Sequence, residues 1–138
     1  MTSKHFIEKL MRPGTLVNVV PPVLLTLVVL GAGLSPGLPR VPLGIEWGDK
    51  VEHAIVFSMV AYCYMRAARH IWLRTEPAMV HARAAWAAAG LGAALELFQT
   101  LVPYRSAELL DLVADVLGVM LTWVVVRFTH GPVAESHG

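Results

Sequence analysis

The sequence predicts an all-α fold of four transmembrane helices. Three observations predict it: an apolar composition, four stretches long enough to cross a bilayer, and a separation of basic from acidic residues along the chain. Hydrophobic residues make up 56% of the 138 positions, charged residues only 15%, and the mean hydropathy is +0.59. With the 11 glycines added the apolar share is roughly 64%, against ~45–50% for a water-soluble domain. So few charges cannot cover a soluble globule of this size, and so apolar a chain is not intrinsically disordered. The single cysteine, Cys63, excludes an intrachain disulfide and argues against a Cys-based metal site.

A hydrocarbon core ~30 Å thick calls for about 20 apolar helical residues. The first candidate span runs from about Leu16 to Leu34, and the second from Val51 to about Ala68, apolar except near its ends. The third, about Ala84 to Val102, is rich in Ala and Gly, and the fourth runs from Leu109 to about Phe128. Breakers fall between them: Pro36, Pro39 and Pro42 in the first connection, and Pro77 in the charged second one. The short segment Pro103-Tyr104-Arg105-Ser106 joins spans three and four as an antiparallel hairpin. Lys4, Lys9 and Arg12 ahead of an apolar run also fit a signal peptide. The run is longer than the usual apolar core of such a peptide and carries Pro21-Pro22, so the expectation is a retained first span.

Basic residues set the orientation. With the N-terminus in the cytoplasm, Lys4, Lys9, Arg12, Arg66, Arg69, Arg74, Arg83 and Arg127 lie inside, eight of the 11. Arg40, Lys50 and Arg105 lie outside. Both termini are then cytoplasmic. The acids divide the other way: Glu46, Asp49, Glu52, Glu96, Glu108, Asp111 and Asp115 all fall on the outer half.

The polar residues of the spans converge on that outer half. Asp49, Lys50 and His53 stand at the entrance of span two, with Asp49 and His53 one helical turn apart. Glu96 and Gln99 lie in the last turns of span three, and Asp111 and Asp115 in the first turns of span four. Arg105 sits in the turn above them. Ionisable groups at such depth are costly, so they should face the bundle interior and pair with one another. Small residues support that inward view: Ala85, Ala89 and Gly92 continue the Glu96 face, and Ala114, Gly118 and Thr122 continue the face of the two aspartates.

The motifs Asp-Lys-x-x-His at 49–53, Glu-x-x-Gln at 96–99, Pro-x-Arg at 103–105 and Asp-x-x-x-Asp-x-x-Gly at 111–118 resemble the VanZ-like family. These are small bacterial membrane proteins named after an accessory factor in resistance to the glycopeptide teicoplanin. The chain departs from the usual pattern at Asp115, where the family most often has Asn, and at Thr122, where a second Gly is common. The resemblance implies a multi-pass protein of the bacterial cytoplasmic membrane with an envelope-facing role, and supplies no particular reaction.

Each residue also has a plainer reading. Asp49 followed by Glu52 fits a capping box that starts span two. His53 alone would read as a packing histidine, Gln99 as a bond to the next helix, and Arg105 as an interfacial anchor. Asp111 follows Ser106, the expected N-cap of span four, where the helix dipole favours an acid. Lys50, Glu46, Glu52 and Glu108 read as solvated interface charges. Glu96 has the least structural excuse, being a carboxyl in an Ala/Gly-rich span.

Two functions fit. In the first, the site acts on a lipid or phosphate-bearing envelope precursor, with His53 or Glu96 moving a proton. Asp111 and Asp115 then orient it or hold a cation, while Arg105, Gln99 and Asp49 bind the substrate. In the second, the cluster is a hydrogen-bonded network inside a non-catalytic scaffold or docking module. A proton-coupled transporter lacks a polar path through the inner halves. No ligand-spacing motif for a metal is present, so neither metal nor cofactor is expected. Nothing supports nucleic-acid binding, and membrane lipids are the expected surroundings.

Overall fold

A computed structural model describes residues 13–35, 47–104 and 107–129, and the described residues form four α-helices in chain order. These are α1 (Thr15–Leu34), α2 (Gly48–Ile71), α3 (Pro77–Gln99) and α4 (Leu109–Thr129). α1 and α4 are long and apolar enough to cross a membrane. α2 and α3 are longer, at 24 and 23 residues. They are less hydropathic because α2 carries five acidic or basic residues and α3 draws on weakly apolar Ala and Gly.

Two helix starts differ from the sequence reading. α3 begins at Pro77 rather than near Ala84, because Glu76 caps it: the carboxylate accepts from Ala78 N at 3.1 Å and Met79 N at 2.9 Å. Pro77 then occupies the first helical position, where a missing N–H leaves nothing unpaired. The two backbone donors hold the exposed Glu76 carboxyl below the usual carboxylate range. α2 begins at Gly48, and its N-cap is Trp47 with no side-chain cap bond, so the Asp49–Glu52 capping box does not form. Asp49 lies inside the first turn. The expected cap at Ser106 falls outside the described residues.

α2 is the central helix, in contact with each of the other three. Its seam with α4 is built on small residues and hydroxyls. A Cβ on Gly118 would overlap the Ala54 carbonyl oxygen, so only glycine allows this approach. Ser58 Oγ lies 2.7 Å from Ala54 O and 3.1 Å from Gly118 O, donating into the seam, and Thr122 Oγ1 donates to Ser58 O at 3.2 Å. On α3 the buried stripe is Ala84, Ala88, Gly92 and Glu96, at steps of four. Ala85 and Ala89, expected on the Glu96 face, are instead half-buried. They line an apolar cavity of about 400 Å³ with Trp86, Val119, Met120 and Trp123. Of the small residues of α4, Ala114 and Gly118 are buried beside both aspartates as expected, and Thr122 is half-buried.

α1 buries Thr15, Pro22 and Val29, one residue every two turns. Hydroxyl and amide groups tie it down: Thr15 Oγ1 to His70 Nε2 at 2.9 Å, Thr26 Oγ1 to Tyr64 Oη at 2.7 Å, and Arg66 Nε donating to Asn18 Oδ1 at 2.7 Å. The polarity of the bundle is inverted relative to a water-soluble protein. Large apolar side chains point outward, with Phe128 82% and Leu16 75% exposed, while Asp115 is fully buried. Apolar surface this continuous marks contact with a membrane or a partner, not with water.

Candidate functional site

The polar side chains gather where α2 and α4 begin and α3 ends. Three consecutive features of α2 open the site: Asp49, Lys50, and His53 one turn further on. Helix periodicity turns the latter two toward α4, whose own periodicity places Asp111 and Asp115 on one face. Lys50 is the hub. Its Nζ lies 2.7 Å from Asp49 Oδ2, 2.6 Å from Glu108 Oε2 and 2.6 Å from Asp111 Oδ1. The ammonium donates hydrogen bonds to Asp49 and Glu108 and forms an ion pair with Asp111. Lys50 is therefore no solvated interface charge; Glu108, whose carboxylate it holds, keeps 41% of its side chain exposed.

His53 lies between the two aspartates of α4. Nδ1 is 2.8 Å from Asp115 Oδ1, and Nε2 is 3.7 Å from Asp111 Oδ2. Asp111 thus lies between Lys50 and His53, and a continuous chain of ionisable groups runs Asp49–Lys50–Asp111–His53–Asp115. Asp111 and Asp115 are both buried, at 5% and 0% exposure. The imidazole–carboxylate contact at Asp115 orients the ring, with Nδ1 toward Asp115 and Nε2 toward Asp111.

Glu96 completes the cluster from α3. Its Oε2 accepts the backbone N–H of Glu108 at 3.0 Å, satisfying a donor at the start of α4. The same carboxylate therefore stitches α3 to α4. A His53 ring nitrogen and one oxygen each of Glu96 and Asp115 lie within 4.8 Å of one another, as do single oxygens of Asp49, Glu108 and Asp111. Among the described residues, Glu96 Oε1 and Asp115 Oδ2 are buried with no hydrogen-bond partner.

The structure therefore brings Asp49, His53, Glu96, Asp111 and Asp115 to one end of the bundle. Gln99 is buried but spends its amide elsewhere, donating from Nε2 to Gly33 O on α1 at 3.0 Å. Arg105 lies outside the described residues. The sequence reading left Lys50 and Glu108 as solvated charges and gave Gly92 only a packing role on the Glu96 face. For Lys50 a further signal was present: seven acids on the outer half of the spans need a cation, and the Asp-Lys pair opens the first motif. For Gly92 the small-residue spacing gave the inward face, but that Asp115 lies opposite is set by packing. A Cβ there would come within 2.9 Å of Asp115 Oδ2.

Buried carboxylates, a bonded imidazole and an ammonium inside an outward-apolar helix bundle define a helical membrane protein with a polar site at one end. The VanZ/LLP1 family model matches residues 4–130, and the chain belongs to that family. No curated protein and no solved structure gives a match. Membership makes it a VanZ-like envelope protein.

Proposed function

We propose that all four helices span the bacterial cytoplasmic membrane with both termini inside, and that the polar end of the bundle receives the headgroup of a lipid or cell-wall precursor in the outer leaflet. At ~1.5 Å per residue, α2 and α3 extend over roughly 35 Å, enough to span a bilayer core. The observation that carries the reading is the gathering of ionisable groups from three helices in a bundle whose large side chains face outward. Burial of carboxylates in hydrocarbon surroundings is expensive enough that such residues usually mark a functional path or site.

In this reading His53, oriented by Asp115, moves a proton to or from the headgroup, and Asp111 holds His53 and Lys50 in register. Glu96 contributes a second acid–base group. Arg105, between α3 and α4 in the chain, grips a phosphate or carboxylate, with Asp49 at the entrance. The family resemblance ties the outcome to teicoplanin resistance. Alanine at Glu96 or at Asp115, in protein present at normal membrane levels, should abolish any change in teicoplanin susceptibility that the wild-type chain confers. Full activity in both variants would refute the headgroup reading.

A second reading is favoured by the bonding itself, since Lys50 alone satisfies three carboxylates and Glu96 caps α4. Here the cluster is a structural network in a scaffold or partner-docking module. The isosteres Glu96→Gln and Asp111→Asn separate the two. Proton chemistry tolerates neither substitution, whereas a network loses folded protein before it loses activity.

A further inference from the structure

Two carboxylate clusters lie side by side at this end of the bundle, and they differ in how their charge is met. Asp49, Glu108 and Asp111 surround an ammonium: Lys50 Nζ stands 2.6–2.7 Å from each. Asp111 Oδ1, buried without a hydrogen bond, has the ammonium's charge 2.6 Å away. His53, Glu96 and Asp115 are equally close-set, with one ligand-type atom each within 4.8 Å. Among the described residues no lysine or arginine is paired with Glu96 or Asp115. The imidazole can offer one positive charge against two negative ones. Two buried oxygens, Glu96 Oε1 and Asp115 Oδ2, are left without a partner on side chains 6% and 0% exposed. Unpartnered charged oxygens in so dry a place are strongly unfavourable.

We infer that His53, Glu96 and Asp115 bind one divalent cation of the Mn²⁺, Fe²⁺ or Zn²⁺ class. With neutral imidazole and two carboxylates the cluster carries two negative charges, which such an ion cancels. One imidazole nitrogen with two carboxylate oxygens matches these borderline ions, whereas Mg²⁺ and Ca²⁺ favour oxygen alone. Three protein ligands leave positions open on the ion, as in sites where a metal receives water or a phosphate oxygen. The three ligands stand on three helices, at 53, 96 and 115, which is why no local spacing motif announces them. Gly92 is the positioning residue of the site: a Cβ there would lie 2.9 Å from Asp115 Oδ2 and 3.2 Å from its Cβ, pushing that ligand aside.

The inference rests on the reading of this cluster as a working site, but its test uses the cation alone. The full chain, purified in detergent and stripped with chelator, is titrated with Mn²⁺ while the six-line spectrum of free Mn²⁺ is followed by electron paramagnetic resonance. One ion per chain at micromolar concentration is expected, with ¹⁴N modulation from a directly bound imidazole in the pulsed spectrum. Glu96→Gln and Asp115→Asn should each weaken binding at least tenfold, and Gly92→Ala should weaken it with every ligand still present. Absence of binding below millimolar Mn²⁺ in folded wild-type chain overturns the inference, as does a bound ion with no nitrogen coupling. The wild-type spectrum decides the matter even where a variant fails to fold. Cation binding by a chain whose alanine variants keep full activity would fail the headgroup reading and leave the site standing; loss of activity in those variants, with no cation bound by the wild type, would do the reverse.

Discussion

Gly118→Ala is the sharpest perturbation of the bundle. Its added Cβ would occupy the position of the Ala54 carbonyl oxygen, a backbone atom that no rotamer change can move aside. α2 and α4 must therefore separate. Overpacking of this kind typically costs ~1–3 kcal/mol. Separation also stretches the Ser58–Gly118 O and Thr122–Ser58 O bonds, now 3.1 and 3.2 Å. Each such bond in a membrane protein is worth ~0.6 kcal/mol on average and up to ~1.7. Alanine recovers ~0.5–1 kcal/mol through helix propensity. The net destabilisation is about 1.5–4 kcal/mol from these contributions. The site suffers as well. His53 and Asp115 sit beside this seam, 2.8 Å apart, and a shift of only about 0.5 Å takes them past the ~3.2 Å limit for such a bond. Equilibrium unfolding in mixed micelles, followed by loss of helical circular dichroism, reads the first effect. Gly90→Ala is the internal control, because nothing lies within 4 Å of its would-be Cβ; it should be neutral or stabilising by up to ~1 kcal/mol. A Gly118→Ala protein within ~0.5 kcal/mol of wild type would refute the close approach of α2 to α4.

Two further outcomes are expected. Lys50→Met removes the one cation shared by three carboxylates, whose side chains are between 6% and 41% exposed; about 2–4 kcal/mol should be lost, below the ~3–5 for a fully buried pair because Glu108 is open to solvent. Adding Asp111→Asn should restore part of it, and an unchanged unfolding midpoint in Lys50→Met would show that the ammonium is not the hub. The second outcome concerns pH. Since folding holds Glu76 below its ordinary value of 4.5, its capping contribution is complete above that pH and disappears as pH falls through the lowered folded value. The protection factor of the Met79 amide, its exchange rate referred to the intrinsic rate at each pH, should fall on acidification, and Glu76→Gln should flatten that dependence; equal pH profiles of protection for the two proteins would rule out the cap.

Much of the fold was legible because bilayer length and helix periodicity are local rules. Runs of Leu and Val declared α1 and α4, and the spacing of Asp111 and Asp115 put both on one face before any neighbour was known. Boundaries were less legible. Pro77 reads as a breaker until Glu76 is seen to cap the helix it begins, and Ala85 and Ala89 could not be told from Ala84 and Ala88 in a stretch so rich in alanine. For the polar cluster, the sequence pointed to the acids and His53 on one end of the bundle but left Lys50 as a solvated charge, since a charge at a helix end looks solvated until its partners are known.

Read without its neighbours, each segment discloses only the supply of parts: helices, their apolar surfaces, and an excess of acid at one end. Composition and periodicity act within a single segment, so they are visible without any other. Pairing is different. That Lys50 meets three carboxylates, that His53 chooses Asp115, that Glu96 caps a helix on another segment and that Gln99 turns to Gly33 instead are decided by contacts between residues up to 66 positions apart. Those contacts exist only once Gly92 and Gly118 let the helix backbones close on one another, and only the packed bundle sets that distance.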